Sequence, residues 1–110
     1  MNFVAGTVGQ DGVVCEGLGT VATGVRLPAS GKVTVGLRPQ HLRVVEGATH
    51  RVDMTEALGG VSYIHLTAPT GEKLVIEAKG DVIPAIGTQV GIGFDAGDAL
   101  FFNETGLRLR

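Results

Sequence analysis

Short runs that alternate apolar and polar residues, each closed by glycine, are the feature that most restricts how this chain folds. From Lys32 to Arg38, Val33, Val35 and Leu37 share one parity, while Lys32, Thr34 and Arg38 share the other. A β-strand sends successive side chains to opposite faces, so this run reads as a strand with one buried and one wet face. Leu74, Ile76 and Ala78 repeat the pattern, and Val90, Ile92 and Phe94 form a third inward set. Opposite that third set stand Gly91 and Gly93, which call for a bulky neighbour or a sharply coiled strand.

Turn chemistry separates the runs. Gln10-Asp11-Gly12, Ala29-Ser30-Gly31, Pro69-Thr70-Gly71, Asp95-Ala96-Gly97 and Glu104-Thr105-Gly106 each offer a glycine where a positive φ is cheap. Strands at roughly ten-residue spacing with such turns predict a small all-β barrel or sandwich of about eight to ten strands. Arg51–Leu58 has fair helix propensity but also alternates, with Val52, Met54 and Leu58 on one side. It reads as a strand because Val61–Leu66 follows at hairpin distance across Gly59-Gly60. Arg38 precedes Pro39 and is expected to be extended, with Pro39-Gln40-His41-Leu42 forming one helical turn. Residues 1–110 read as one domain, with a candidate internal joint at 45–49.

Composition narrows the function. The chain carries 18 glycines without a collagen period, and a formal net charge of -2. An OB-type binder of single-stranded nucleic acid is disfavoured, since such proteins use a basic groove and stacking aromatics, whereas this chain has four Phe, one Tyr and no Trp. No apolar run reaches the length of a membrane span and no basic, apolar leader opens the chain, so direct membrane insertion is not expected. The single cysteine, Cys15, excludes an internal disulfide. A cytoplasmic setting is the simplest reading.

Motifs for chemistry are absent. There is no glycine string ending in Lys and Ser or Thr to cradle a nucleotide's phosphates. Gly17-Leu18-Gly19 and Gly91-Ile92-Gly93 begin like dinucleotide fingerprints, but the third glycine is misplaced. His41, His50 and His65 share no metal-ligand spacing and read as surface or hydrogen-bonded side chains. Cys15 sits in an apolar run and reads as a small buried hydrophobe. Glu46, Glu56, Glu72 and Glu77 read as solvated charges at turns or on wet strand faces. No catalytic residue, cofactor ligand or metal ligand is assigned.

Val35-Gly36-Leu37-Arg38-Pro39-Gln40-His41-Leu42 resembles the Gly-Ile-Arg-Pro-Glu-His/Asp segment that follows the nucleotide-binding domain in ABC importer ATPases of the maltose and glycerol-3-phosphate type. Further segments match in order. They are Met1-Asn2-Phe3 with Gly6 and Val8, Val25-Arg26-Leu27-Pro28 before Gly31, and Glu56-Ala57-Leu58-Gly59. Gly87, Val90, Phe94 and Asp95 follow, then Phe101, Thr105, Gly106, Arg108 and Leu109. The departures are Gln40 for the usual glutamate, Phe102 for an aspartate, and Ala99 where a histidine is common.

The resemblance implies an OB-like barrel of the TOBE (MOP-like) class, serving as the regulatory and dimerisation domain of an importer's ATP-binding subunit. It implies a longer parent whose ATPase domain, absent from this chain, carries ATP and Mg. The partners it implies are the twin ATPase subunit, the permease subunits reached through the parent, and a regulatory protein. Gly36, Arg38, Pro39, Gln40, His41, Glu56 and Gly59 carry the family motif, as structural or partner-contact positions. Arg38 is weighted toward a structural role at a strand end. The alternative is an oxyanion-binding module for molybdate or tungstate, which shares the barrel.

Overall fold

A computed structural model describes residues 1–23, 26–28, 31–79 and 84–109. Val25 of the family match and Ala29-Ser30 of one turn lie outside the described residues. Nine strands are present among the described residues: β1 (Asn2–Val8), β2 (Val13–Cys15), β3 (Gly19–Val21), β4 (Lys32–Leu37), β5 (Arg43–Ala57), β6 (Val61–Thr67), β7 (Lys73–Lys79), β8 (Gln89–Gly93) and β9 (Leu100–Phe102). Short 3-10 turns occupy Pro39–His41 and Ala96–Asp98. The fold is all-β, built from curled antiparallel sheets in a half-barrel of the TOBE/OB-like kind.

The strands form two sheets, ordered β3-β2-β1-β4-β9 and β7-β6-β5-β8. Each sheet turns its apolar parity inward, and the two inner faces share one core. Val33, Val35 and Leu37 of β4 are buried there with Phe101 of β9. Leu74 and Ile76 of β7, Ile64 and Leu66 of β6, and Val90 of β8 face them, with Ala78, Ile92 and Phe94 partly buried at the margin. Cys15 is buried in the same core, as its apolar run predicts.

The Arg51–Leu58 segment is strand, and its hairpin to β6 turns at the glycine pair. Gly59 and Gly60 have φ of +67° and +86°, and the Leu58 N–H donates to the Val61 carbonyl at 2.8 Å. Two consecutive left-handed residues make a turn whose twist matches that of the strands it joins.

The expected face of this strand needs correction. Val52 pairs with Leu66 and Met54 with His65, so Asp53 is an extra residue in the ladder. This bulge reverses the parity. Val52 and Thr55 oppose the buried Leu66 and Ile64, whereas Met54 and Leu58 are exposed.

Residues 45–49 run within β5, at a second irregularity. Val45 pairs with Gly91 and His50 with Val90, so the residues between stand out of the ladder with β8. The neighbour over the two β8 glycines is Val45. A Cβ on Gly91 would meet Val45 Cγ2 at 3.1 Å and the Glu46 carbonyl at 3.0 Å; one on Gly93 would meet Val45 Cγ1 at 2.9 Å. One glycine turn also differs from expectation, because Gly97 has no positive φ and lies inside the Ala96–Asp98 turn.

Candidate functional site

The family-motif residues fall at two places, the end of β4 with the turn after it and the β5–β6 hairpin, and of them Gln40 lines a groove. At the end of β4, Gly36 pairs with Phe3 on one side and Leu100 on the other. Its missing side chain leaves room for its cover, since a Cβ would lie 2.9 Å from both Met1 Sδ and Phe102 Cε2. The Phe102 ring meets Phe3 edge to face, with centroids 5.9 Å apart. Phe3 remains 56% exposed, so an apolar patch covers the outer face of this sheet.

Arg38 is exposed and extended at φ -75° and ψ 137°, as a residue before proline prefers. Pro39 then opens the 3-10 turn, in which the His41 N–H donates to the Arg38 carbonyl at 2.9 Å and the Leu42 N–H to the Pro39 carbonyl at 3.3 Å. The turn swings Leu42 into the core and leaves Gln40 on the rim of a groove of about 700 Å³. Leu42, Val44, Ile64, Ala78 and Pro84 supply its apolar wall, while Arg43, Glu77 and Lys79 join Gln40 on the polar side.

The second motif reaches the same groove through a chain of side chains. Glu56 opposes Tyr63, which opposes Glu77 on β7. The Tyr63 hydroxyl donates to Glu77 Oε1 at 3.0 Å, and this bond with the carboxylate holds the phenol's pKa above its ordinary value. Glu56 Oε1 also lies 2.7 Å from His65 Nε2. Gly59 stands apart, at the hairpin tip beside Leu58, which is 61% exposed. On the same outer sheet face, the Thr67 hydroxyl donates to Asp53, whose carboxyl is lowered first by that bond and then by the bond from Arg51.

Two residues are buried where residue type alone gave no reason to place them inside. Asn2 is buried at 6% exposure, and its amide is bonded to the backbone of Val75 on the other sheet. His50 is buried at 1% exposure, with Nδ1 2.8 Å from the Thr49 hydroxyl and no partner for Nε2. Parity was the available signal for both: Asn2 shares the inward parity of Val4, and His50 that of Val52.

The groove thus pairs an apolar wall with a mixed-charge rim. Among the described residues no group of three His, Cys, Asp or Glu is placed to hold a metal ion. The Cys15 thiol is pushed up to about 11, by burial first and by the Glu72 charge second, which keeps it protonated and unreactive. No helix among the described residues is long and apolar enough to cross a membrane.

These features define a small all-β accessory domain, and comparison with known proteins places it in a family. The TOBE domain profile matches residues 35–102, from the middle of β4 to the end of β9, and the chain belongs to the TOBE domain family. It is similar to the lactose transport ATP-binding protein LacK of Rhizobium radiobacter, 32% identical over 96 residues, covering 83% of this chain and 26% of that protein. The sn-glycerol-3-phosphate import ATP-binding protein UgpC of Ruegeria pomeroyi is 34% identical over 121 aligned positions, covering 97% of this chain and 34% of that protein. UgpC of Brucella abortus is 31% identical over 94 residues, covering 77% of this chain and 26% of that protein. The chain thus spans about a quarter to a third of the length of these relatives.

Proposed function

We propose that this chain is the regulatory and dimerising domain of the ATP-binding subunit of an ABC importer for sugars or glycerol-3-phosphate, and that it performs no bond chemistry itself. The observation that carries this reading is the family match through the core strands, joined to relatives that are all import or transport ATP-binding proteins. ATP and Mg belong, on this reading, to a separate ATPase domain. The partners are a twin subunit, permease subunits and a regulatory protein, and the setting is the cytoplasmic side of the membrane.

The mechanism is one of tethering. A barrel closed on its own core stays folded while its neighbours move. Docked to its twin, it keeps two ATPase domains at high effective concentration as they separate after hydrolysis. A regulator that binds better in one arrangement of the subunits shifts the cycle by that difference in affinity. The groove beside Gln40 and the apolar patch around Phe3 are the surfaces suited to such contacts.

The test is made on the ATP-binding subunit that carries this domain. Deleting residues 1–110 should leave nucleotide binding intact and weaken subunit association in the nucleotide-free state, read by analytical ultracentrifugation. Unchanged association would remove the dimerising role. Micromolar binding of molybdate to the chain, by titration calorimetry, would replace this reading with that of an oxyanion-binding module.

A further inference from the structure

His50 stands where three elements meet. On β5, it resumes the ladder with β8 after the out-of-register residues, opposite Val90. Its ring lies between the turn joining β2 to β3 and the turn joining β6 to β7. A Cβ placed on Gly17 of the first turn would be 3.4 Å from His50 Cε1, 3.4 Å from Pro69 Cδ of the second, and 3.7 Å from His50 Nε2.

The hydrogen bonds around the ring set its tautomer. The Thr49 hydroxyl lies 2.8 Å from His50 Nδ1 and 3.3 Å from the Val90 carbonyl; when it donates to that carbonyl, its oxygen accepts from His50 Nδ1–H. Nε2 then carries the lone pair, buried and without a partner. A proton there would create a charged N–H with nothing to accept it, which is costly in a buried site.

The ionisable groups on the surrounding elements do not offset that cost. Cys15 on β2 is a buried neutral thiol, and Glu16 beside it is exposed. Glu72, past the Pro69 turn, accepts from the Ala5 N–H, and Lys73 beside it is exposed. The Arg51 guanidinium is turned to Asp53. Burial alone lowers the pKa of the ring below its ordinary 6.5.

The β2–β3 hairpin carries Gly17 and is the element next to the ring. Among the described residues its ladder with β1 has two positions, Thr7 with Val14 and Val8 with Val13. Val13, Cys15 and Val21 also pack into the core, with Leu18 partly buried against it.

We propose that neutral His50 is an acid-sensitive latch that keeps the β2–β3 hairpin closed on the rest of the barrel, and that protonation of Nε2 releases the hairpin. The closed state holds the ring below its ordinary value and the released state does not, so release binds a proton. Release is therefore suppressed above pH 6.5 and grows about tenfold per pH unit as pH falls from there toward the lowered value.

Cys15 reports the release, because its thiol is covered only while β2 is docked. The 110-residue chain is labelled with 4,4′-dithiodipyridine from pH 8 to pH 5, each rate divided by that of the urea-unfolded chain at the same pH. The expected protection is constant down to about pH 6.5 and then falls about tenfold per unit, with amide exchange at Ile64 and Leu66 staying slow. In His50→Asn, which keeps a partner for Thr49 but cannot titrate, protection should be flat. Protection that is flat in the native chain, that falls equally in His50→Asn, or that falls together with exchange at Ile64 overturns the latch. Should His50→Asn fail to fold, NMR of the native His50 ring decides: titration at or above 6.5 overturns the proposal, and an Nδ1–H tautomer persisting below 6.5 supports it.

Discussion

The side-chain amide of Asn2 lies against the backbone of Val75 as a neighbouring strand's peptide group would. Its Nδ2 donates to the Val75 carbonyl at 2.8 Å and its Oδ1 accepts the Val75 N–H at 2.8 Å, across 73 residues of sequence. Further along, Glu72 Oε2 accepts the Ala5 N–H at 2.8 Å. These bonds stitch β1 of one sheet to β7, the outermost strand of the other, and satisfy backbone groups that the ladders leave open.

Asn2→Ala strips two backbone groups of their partners at once. With about 1–3 kcal/mol for each buried group left unmade, the loss should be roughly 2–6 kcal/mol, read as a lower urea midpoint. Asn2→Asp places a carboxylate against the Val75 carbonyl and so raises its own folded pKa. The folded state then binds the proton more tightly, and stability should rise as pH falls from that raised value toward the ordinary aspartate value of about 3.9. An Asn2→Asp variant whose stability falls over that range would contradict this pairing.

Glycines 36 and 91 are both covered, but by different materials. Over Gly36 lie the ends of two side chains, Met1 Sδ and a ring edge of Phe102, which can swing aside. Over Gly91 lies the Glu46 carbonyl, held by the backbone of β5. Gly36→Ala should therefore cost about 1 kcal/mol or less, and Gly91→Ala about 1–3 kcal/mol. Thermal melts of the two variants check the order, and the reverse order would contradict it.

At the β5–β6 tip, Gly60→Ala forces a left-handed alanine at a cost of about 1–2 kcal/mol. Gly59→Asn should be neutral within about 0.5 kcal/mol, because asparagine tolerates that conformation and Asn-Gly suits this turn. Equal losses in both variants would show that the turn is not the paired left-handed type.

The Cys15 thiol, raised from an ordinary 9.0 to about 11, ties stability to alkaline pH. Between those values the folded state holds a proton that the unfolded state has released. Stability is therefore whole below pH 9 and is lost as pH rises toward 11. Cys15→Ala should start less stable at pH 7, from the small cavity it leaves, yet lack this alkaline decline in denaturant midpoint.

The sequence alone determined the alternating strands, the glycine turns at Gly12, Gly59-Gly60, Gly71 and Gly106, the single helical turn after Arg38 and the family to which the barrel belongs. Alternation, proline and paired glycines act within a few residues, so their effect is written locally. The motif at Gly36–His41 was legible for the same reason, as a strand end followed by a proline turn.

Tertiary structure decided which residues face inward beyond Asp53, what covers Gly91, and how the sheets are joined. One extra residue in β5 reversed the face of Met54 and Leu58, and its position depends on pairing with β6. The roles of Asn2 and His50 depend on Val75 and on Gly17, partners brought close only by chain closure. A polar residue on an inward parity is visible in a sequence; the group that satisfies it, or fails to, exists only once distant strands have met.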